Sequence, residues 1–185
     1  MAPRSSSASR TLAIVVDNEP GVLARVVGMF SARGYNIESL TVAETDRASH
    51  TSRITVVTDG EPGIIDQIKA QLERILSVRH VIDVTLDPAG VVRELALIKV
   101  RAIGHDRIEA LRVSDIFRGK VIDTTLESFI FEVTGSSDKI DAIIELMRPI
   151  GLVEVSRTGV LSIHRGAETD KVITSDAAKP ATTSL

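Results

Sequence analysis

The stretch D-N-E-P-G-V-L, residues 17–23, stands where a β-branched run gives way to a helical pattern. The first turn of a helix leaves N–H groups with no intrahelical partner. Together with the helix dipole these groups make a site for an anion. Pro20 suits a first helical position, because its missing N–H has no partner there anyway. Gly21 is less expected, since glycine costs roughly 0.5–1 kcal/mol against alanine inside a helix. Without a side chain at 21, a carboxylate could settle on the amides of Gly21, Val22 and Leu23. Asn18 could donate a side-chain N–H to the same anion, or cap the helix itself. A purely structural account competes: Asp17 or Asn18 caps the helix, Pro20 starts it, and Gly21 relieves crowding against a strand.

Other chemistry finds less support. With no cysteine, thiolate nucleophiles, disulfides and Cys-ligated zinc are excluded. None of His50, His80, His105 and His164 stands three or four residues from another, and no metal-ligand pattern surrounds them. His80 falls mid-strand among apolar neighbours, which reads as a core or half-buried histidine. The nucleophile elbow, the phosphate loop and the dinucleotide fingerprint are all missing. Catalytic and metal-binding residues are therefore expected to be none. The net charge of -3 recommends neither nucleic acid nor acidic lipid as partner. Phe129 and Phe131 share one strand face and could stack on bases. Without a basic cluster, they read better as core or interface packing.

These residues need elements to position them. T-L-A-I-V-V-D (11–17) reads as a buried strand, and Val22, Leu23, Val26, Val27 and Phe30 mark one face of a helix running from Pro20 to Arg33. Gly34 stops it. Two strands, 37–44 and 51–58, are close enough to form a hairpin. A second helix follows E-P-G (61–63), with Ile64, Ile65, Ile68, Leu72, Ile75 and Leu76 on its face. A strand over 78–86 alternates Val78, His80, Ile82, Val84 and Leu86 on one side. The order β-α-β-β-α-β then repeats: strand 93–102, helix 105–118 ended by Gly119, two strands across 119–134, a helix from about Asp138, and strand 151–156. The fold class is thus α+β, as two tandem ferredoxin-like βαββαβ sandwiches. Residues 11–87 form the first domain and 88–166 the second. Residues 1–10 read as a frayed leader, and 167–185, without periodicity, as a disordered tail. No apolar run approaches the roughly 20 residues that span a bilayer, so no membrane partner is expected, and the protein is read as cytoplasmic.

Helices on one face of a sheet leave the other to be covered, which favours sheet-to-sheet or edge-to-edge association and hence a homodimer. The asparagines point the same way. Asn18 and Asn36 are the only two in the chain, and they flank opposite ends of the first helix. One chain cannot easily bring them together; two chains can. A small ligand would then lie between protomers, with its carboxylate on one helix start and its amine near the neighbour's Asn36.

The D-x-x-P-G-V-L turn within a βαββαβ unit resembles the ACT domain, a module that binds amino acids at a dimer interface. The longer run N-E-P-G-V-L-A-R-V-V-G-M-F-S-A-R-G-Y-N-I-E-S-L-T-V-A is similar to the start of the acetolactate synthase (acetohydroxyacid synthase) small-subunit family. R-E-L-A-L-I-K-V, I-F-R-G-K-V-I-D and V-E-V-S-R-T-G-V resemble that family's C-terminal domain, so the likeness covers about residues 11–166. It implies a regulatory chain with no active site. The implied partner is a large catalytic subunit carrying thiamine diphosphate, Mg²⁺ and usually FAD, which condenses two pyruvates to 2-acetolactate. The chain would raise that activity and confer feedback inhibition by valine in branched-chain amino-acid synthesis. The family's effector positions fall here on Asn18, Gly21, Val22, Leu23, Asn36 and Ile37. The competing reading is a stand-alone ACT-type amino-acid sensor acting on another partner.

Overall fold

The computed structural model describes residues 9–166. These form two compact units, one holding the described residues up to Val91 and those from Ser162 on, the other running Val92–Leu161. The expected βαββαβ order occurs twice, so the chain is α+β with two tandem ferredoxin-like sandwiches. Most of the expected leader (1–8) and the whole expected tail (167–185) lie outside the described residues. Ser9 and Arg10, assigned to the leader from sequence, already belong to the first strand.

The first unit comprises β1 (Ser9–Asp17), α1 (Val22–Ala32), β2 (Ser39–Asp46), β3 (Thr51–Asp59), α2 (Pro62–Leu72) and β4 (Val78–Asp83). Its strands lie in the order β2-β3-β1-β4, each antiparallel to its neighbours. Leu12, Ile14 and Val16 of β1 meet Val26, Met29 and Phe30 of α1 and Ile65, Ile68 and Leu72 of α2 in one apolar core. The alternate residues Ala13 and Val15, with Thr55 and Val57 of β3, are buried as well. A strand buried on both faces needs no polar alternation, hence the unbroken L-A-I-V-V run. The β2 edge of this sheet is accessible, with residues 42–45 exposed.

Three expectations fail in this unit. The strand read over 78–86 stops at Asp83, whose carboxylate accepts the Thr85 amide at 3.0 Å and turns Val84–Leu86 into a 3-10 turn. Val81 is the strand's buried core residue, with Val78 packed partly against the core, and His80 is exposed. Leu76, placed on the α2 face, is 95% exposed because the helix ends at Leu72.

The second sandwich has β5 (Gly90–Arg101), α3 (His105–Ile116), β6 (Lys120–Thr124), β7 (Ser128–Gly135), α4 (Ser137–Gly151) and β8 (Leu152–Arg157), with strand order β6-β7-β5-β8. Phe129 and Phe131 stack with centroids 5.3 Å apart inside its core, against Ile140, Ile143 and Met147. Rings so buried cannot serve as a platform for bases. The expected helix stop at Gly119 is displaced: Arg118 takes the left-handed backbone (φ +55°), and the Gly119 amide donates to the Ser114 carbonyl at 2.8 Å. A short strand absent from the sequence reading, β9 (Leu161–His164), pairs with β5. It is fastened by the Arg165 amide on the Ala89 carbonyl (3.1 Å) and by His164 Nδ1 against Asp87 Oδ2 (2.5 Å).

One buried ion pair ties β5, α4 and β8 together. Glu94, 4% exposed, receives Arg157 through Nε (2.6 Å) and a terminal nitrogen (2.8 Å), and the Ser137 hydroxyl donates to it at 3.2 Å. Asp141 takes the other terminal nitrogen of Arg157 at 2.6 Å. The Glu94 hydrogen bonds raise the Arg157 pKa, opposed by desolvation and assisted by Asp141. Removing one member of a buried pair typically costs 3–5 kcal/mol. Because the Arg157 side chain keeps 34% exposure, Glu94→Ala is expected near the low end, about 3 kcal/mol, in urea unfolding of the full chain. A loss below about 1 kcal/mol would show the pair to be incidental.

Candidate functional site

Between Asp17 and α1 the chain is pinned from three other elements. The Asp17 amide donates to the Ser77 carbonyl (2.8 Å), and its carboxylate accepts Arg79 Nε (2.6 Å). The Asn18 amide donates to the His50 carbonyl (2.7 Å). Glu19 accepts the Ser77 hydroxyl (2.9 Å), with Arg25 at 3.4 Å. The β2–β3 turn that presents His50 is itself fixed by Asp46, which accepts the Ser49 hydroxyl (2.7 Å) and the Ala48 amide (2.9 Å). Those bonds, the hydroxyl's first, hold the Asp46 carboxyl below its usual range.

So held, the chain enters α1 later than the sequence suggested. Pro20 and Gly21 form a turn, and Gly21 is the N-cap in the left-handed conformation, φ +84°. That conformation costs other L-residues roughly 1–2 kcal/mol. Crowding is not the cause, since a Cβ on Gly21 would meet nothing within 4 Å. No side chain caps the helix, so neither Asp17 nor Asn18 does so. Backbone handedness therefore selects the glycine, and the space above it stays open.

Of the three amides expected to receive a carboxylate, that of Val22 is taken by the Glu19 carbonyl at 3.2 Å. Gly21 and Leu23 keep theirs, joined by Ala24; none of the three has a partner among the described residues. Asn18 is exposed at the rim, its Nδ2 3.5 Å from Glu44 Oε1. The Val22 side chain, one of the effector positions, is 7% exposed and belongs to the core, whereas Leu23 is 38% exposed.

Asn36 and Ile37 lie elsewhere. They sit in the segment between α1 and β2, before the strand rather than at its start. Asn36 is exposed, and its carbonyl accepts the Thr58 hydroxyl at 2.6 Å; Ile37 packs partly on the core. Eleven helical residues separate the two groups, about 16 Å at 1.5 Å per residue. One chain does not bring them together. It does bring Glu44, His50 and Ser77 to the helix start, and the sequence reading named none of them there. Their signal was topological: β1 and β2 are both antiparallel to β3, so both point toward that end.

With this geometry in place, comparison with known proteins is informative. Residues 12–80 match the model of the AHAS small subunit-like ACT domain, and 93–166 that of the small subunit of acetolactate synthase. The chain belongs to the acetolactate synthase small-subunit family. Within that family it is 44% identical over 156 residues to the probable acetolactate synthase small subunit of Archaeoglobus fulgidus, covering 84% of this chain and 96% of the relative. To the Escherichia coli acetolactate synthase isozyme 3 small subunit it is 42% identical over 165 residues, covering 89% and 98%. The crystal structure of the Thermotoga maritima small subunit superposes with a TM-score of 0.77 at 36% identity, over 85% of this chain and 98% of that one. The small-subunit family thus spans both sandwiches.

The stability consequences of Gly21 and Asn18 separate cleanly. Gly21→Ala is expected to lower unfolding free energy by roughly 1–2 kcal/mol through its left-handed backbone. Asn18→Ala removes no cap and should stay within about 0.5 kcal/mol of the parent. Denaturant midpoints at constant m-value check both.

Proposed function

We propose that this chain is the non-catalytic regulatory subunit of an acetolactate synthase, raising the activity of the thiamine-diphosphate-dependent catalytic subunit and making it sensitive to valine. The observation that carries this reading is the group of unpartnered amides at Gly21, Leu23 and Ala24, beneath open space that the glycine leaves clear. A carboxylate there gains backbone donors and the positive end of the α1 dipole. Asn18 adds a side-chain donor at the rim. Thiamine diphosphate, Mg²⁺ and FAD belong, on this reading, to the catalytic partner, which condenses two pyruvates to 2-acetolactate with loss of CO₂.

The effector is read as held between two copies. β2 is an edge strand, and an antiparallel pairing of two β2 edges reverses one protomer against the other. The start of α1 in one then comes beside the partner's Asn36 and Ile37. Val42, 41% exposed on β2, and Leu23 supply apolar surface for a branched side chain. Burying valine's isopropyl group fully would contribute roughly 1.5–3 kcal/mol. A ligand touching both chains biases how they pair, and inhibition follows if the inhibited arrangement binds valine more tightly. Linkage then obliges the catalytic subunit to alter valine affinity reciprocally. The assembly is read as cytoplasmic and without nucleic-acid or membrane partners; no helix among the described residues is long and apolar enough to cross a bilayer.

Reconstitution with the catalytic subunit tests the reading. Gly21→Asp should abolish valine inhibition, because it sets negative charge and bulk at the carboxylate position, while activation persists. Unchanged valine sensitivity would remove this site from consideration. Asn36→Ala should weaken valine binding roughly fivefold, the worth of one neutral hydrogen bond, and leave the dimer intact in sedimentation. If that variant instead unfolds, Asn36 serves the fold.

A further inference from the structure

Three carboxylates surround the start of α1, and their commitments differ. Asp17 is engaged by Arg79 at 2.6 Å, and Glu19 by the Ser77 hydroxyl at 2.9 Å. Glu44, near the end of β2, has only loose contacts: Asn18 Nδ2 at 3.5 Å and Arg47 Nε at 3.6 Å. Arg47 is 94% exposed, so water competes for that contact. The Glu44 side chain retains 35% exposure beside the open helix start. One negative charge is therefore available next to amides suited to a second.

That juxtaposition constrains the ligand. A simple carboxylate on the Gly21, Leu23 and Ala24 amides would be repelled by Glu44. An α-amino acid would not, since its ammonium adjoins its carboxylate and can face Glu44 while the carboxylate faces the amides. We propose that Glu44 shares the effector's ammonium group with Asn36 of the second copy and thereby makes the site accept an amino acid while rejecting the 2-oxo acid with the same side chain. Asn18 works with it, its Nδ2 lying 3.5 Å from Glu44 Oε1. Rejection arises from a repulsive element, one of the two routes to specificity. The inference rests on the amino-acid reading above and adds to it a residue and a discrimination.

Calorimetric titration of the full chain, alone and with the catalytic subunit, tests it with L-valine and 3-methyl-2-oxobutanoate as paired probes. The parent is expected to prefer valine by about a hundredfold, within the range of a charge-assisted hydrogen bond. Glu44→Gln keeps the shape and removes the charge. It should weaken valine about tenfold and tighten the oxo acid, so that the preference largely collapses. Glu44→Asp should retain most of it. A merely structural residue would shift both probes together and lower the thermal midpoint. An undiminished preference in Glu44→Gln overturns the role of Glu44 while the effector site stands. Absence of saturable L-valine binding to the parent under both conditions overturns the site itself, and Glu44's role with it.

Discussion

A helix of eleven residues cannot bend its two ends together, and that length keeps the amides at its start about 16 Å from Asn36 and Ile37. The crossover through α1 makes β1 and β2 run the same way, with β3 between them. Backbone donors then collect at one end of the sheet, and Asn36 with Ile37 at the other. Neither group alone encloses anything. On the proposed pairing of two β2 edges, a second copy would supply what each end lacks.

The loop from Asp17 to Gly21 shows how a left-handed step is held without a side-chain helix cap. Hydrogen bonds with Ser77, Arg79 and the His50 carbonyl, which accepts the Asn18 amide, fix its path. The two amide–carbonyl bonds among them are each modest, about 0.5–1.5 kcal/mol. Together they set the direction from which the chain enters α1. Glycine accommodates the left-handed step, and the following amides stay directed outward. Rigidity here is preorganisation: donors already in place need not be ordered when a ligand arrives.

Sequence reading recovered the order of elements because apolar spacing at 3.6 and 2 residues is a local property, as in Val22, Val26 and Phe30. It found the D-N-E-P-G-V-L turn for the same reason. It missed that the helix begins only at Val22, since the entry path is set by Ser77 and Arg79, 58 and 62 residues from their partners. His80 was misplaced because the alternation V-R-H-V-I-D fits either face. A register shift between Val15 and Val16 accompanies the pairing that puts Val81 inside. Glu44 could not be distinguished from any other surface carboxylate until strand direction set it beside Asn18. L-S-I-H of β9 is too short to announce itself, and its pairing with β5 is long-range.

That last strand affects the timing of synthesis. A nascent chain has every strand and helix of the first sandwich once Asp83 leaves the ribosome, and domains fold largely in the order they emerge. The segment just beyond, at Asp87 and Ala89, waits for partners that include His164, 77 residues later than Asp87. Translation must deliver the entire second sandwich before this seam can close. The first unit is the earliest to gain a core and the last to be finished.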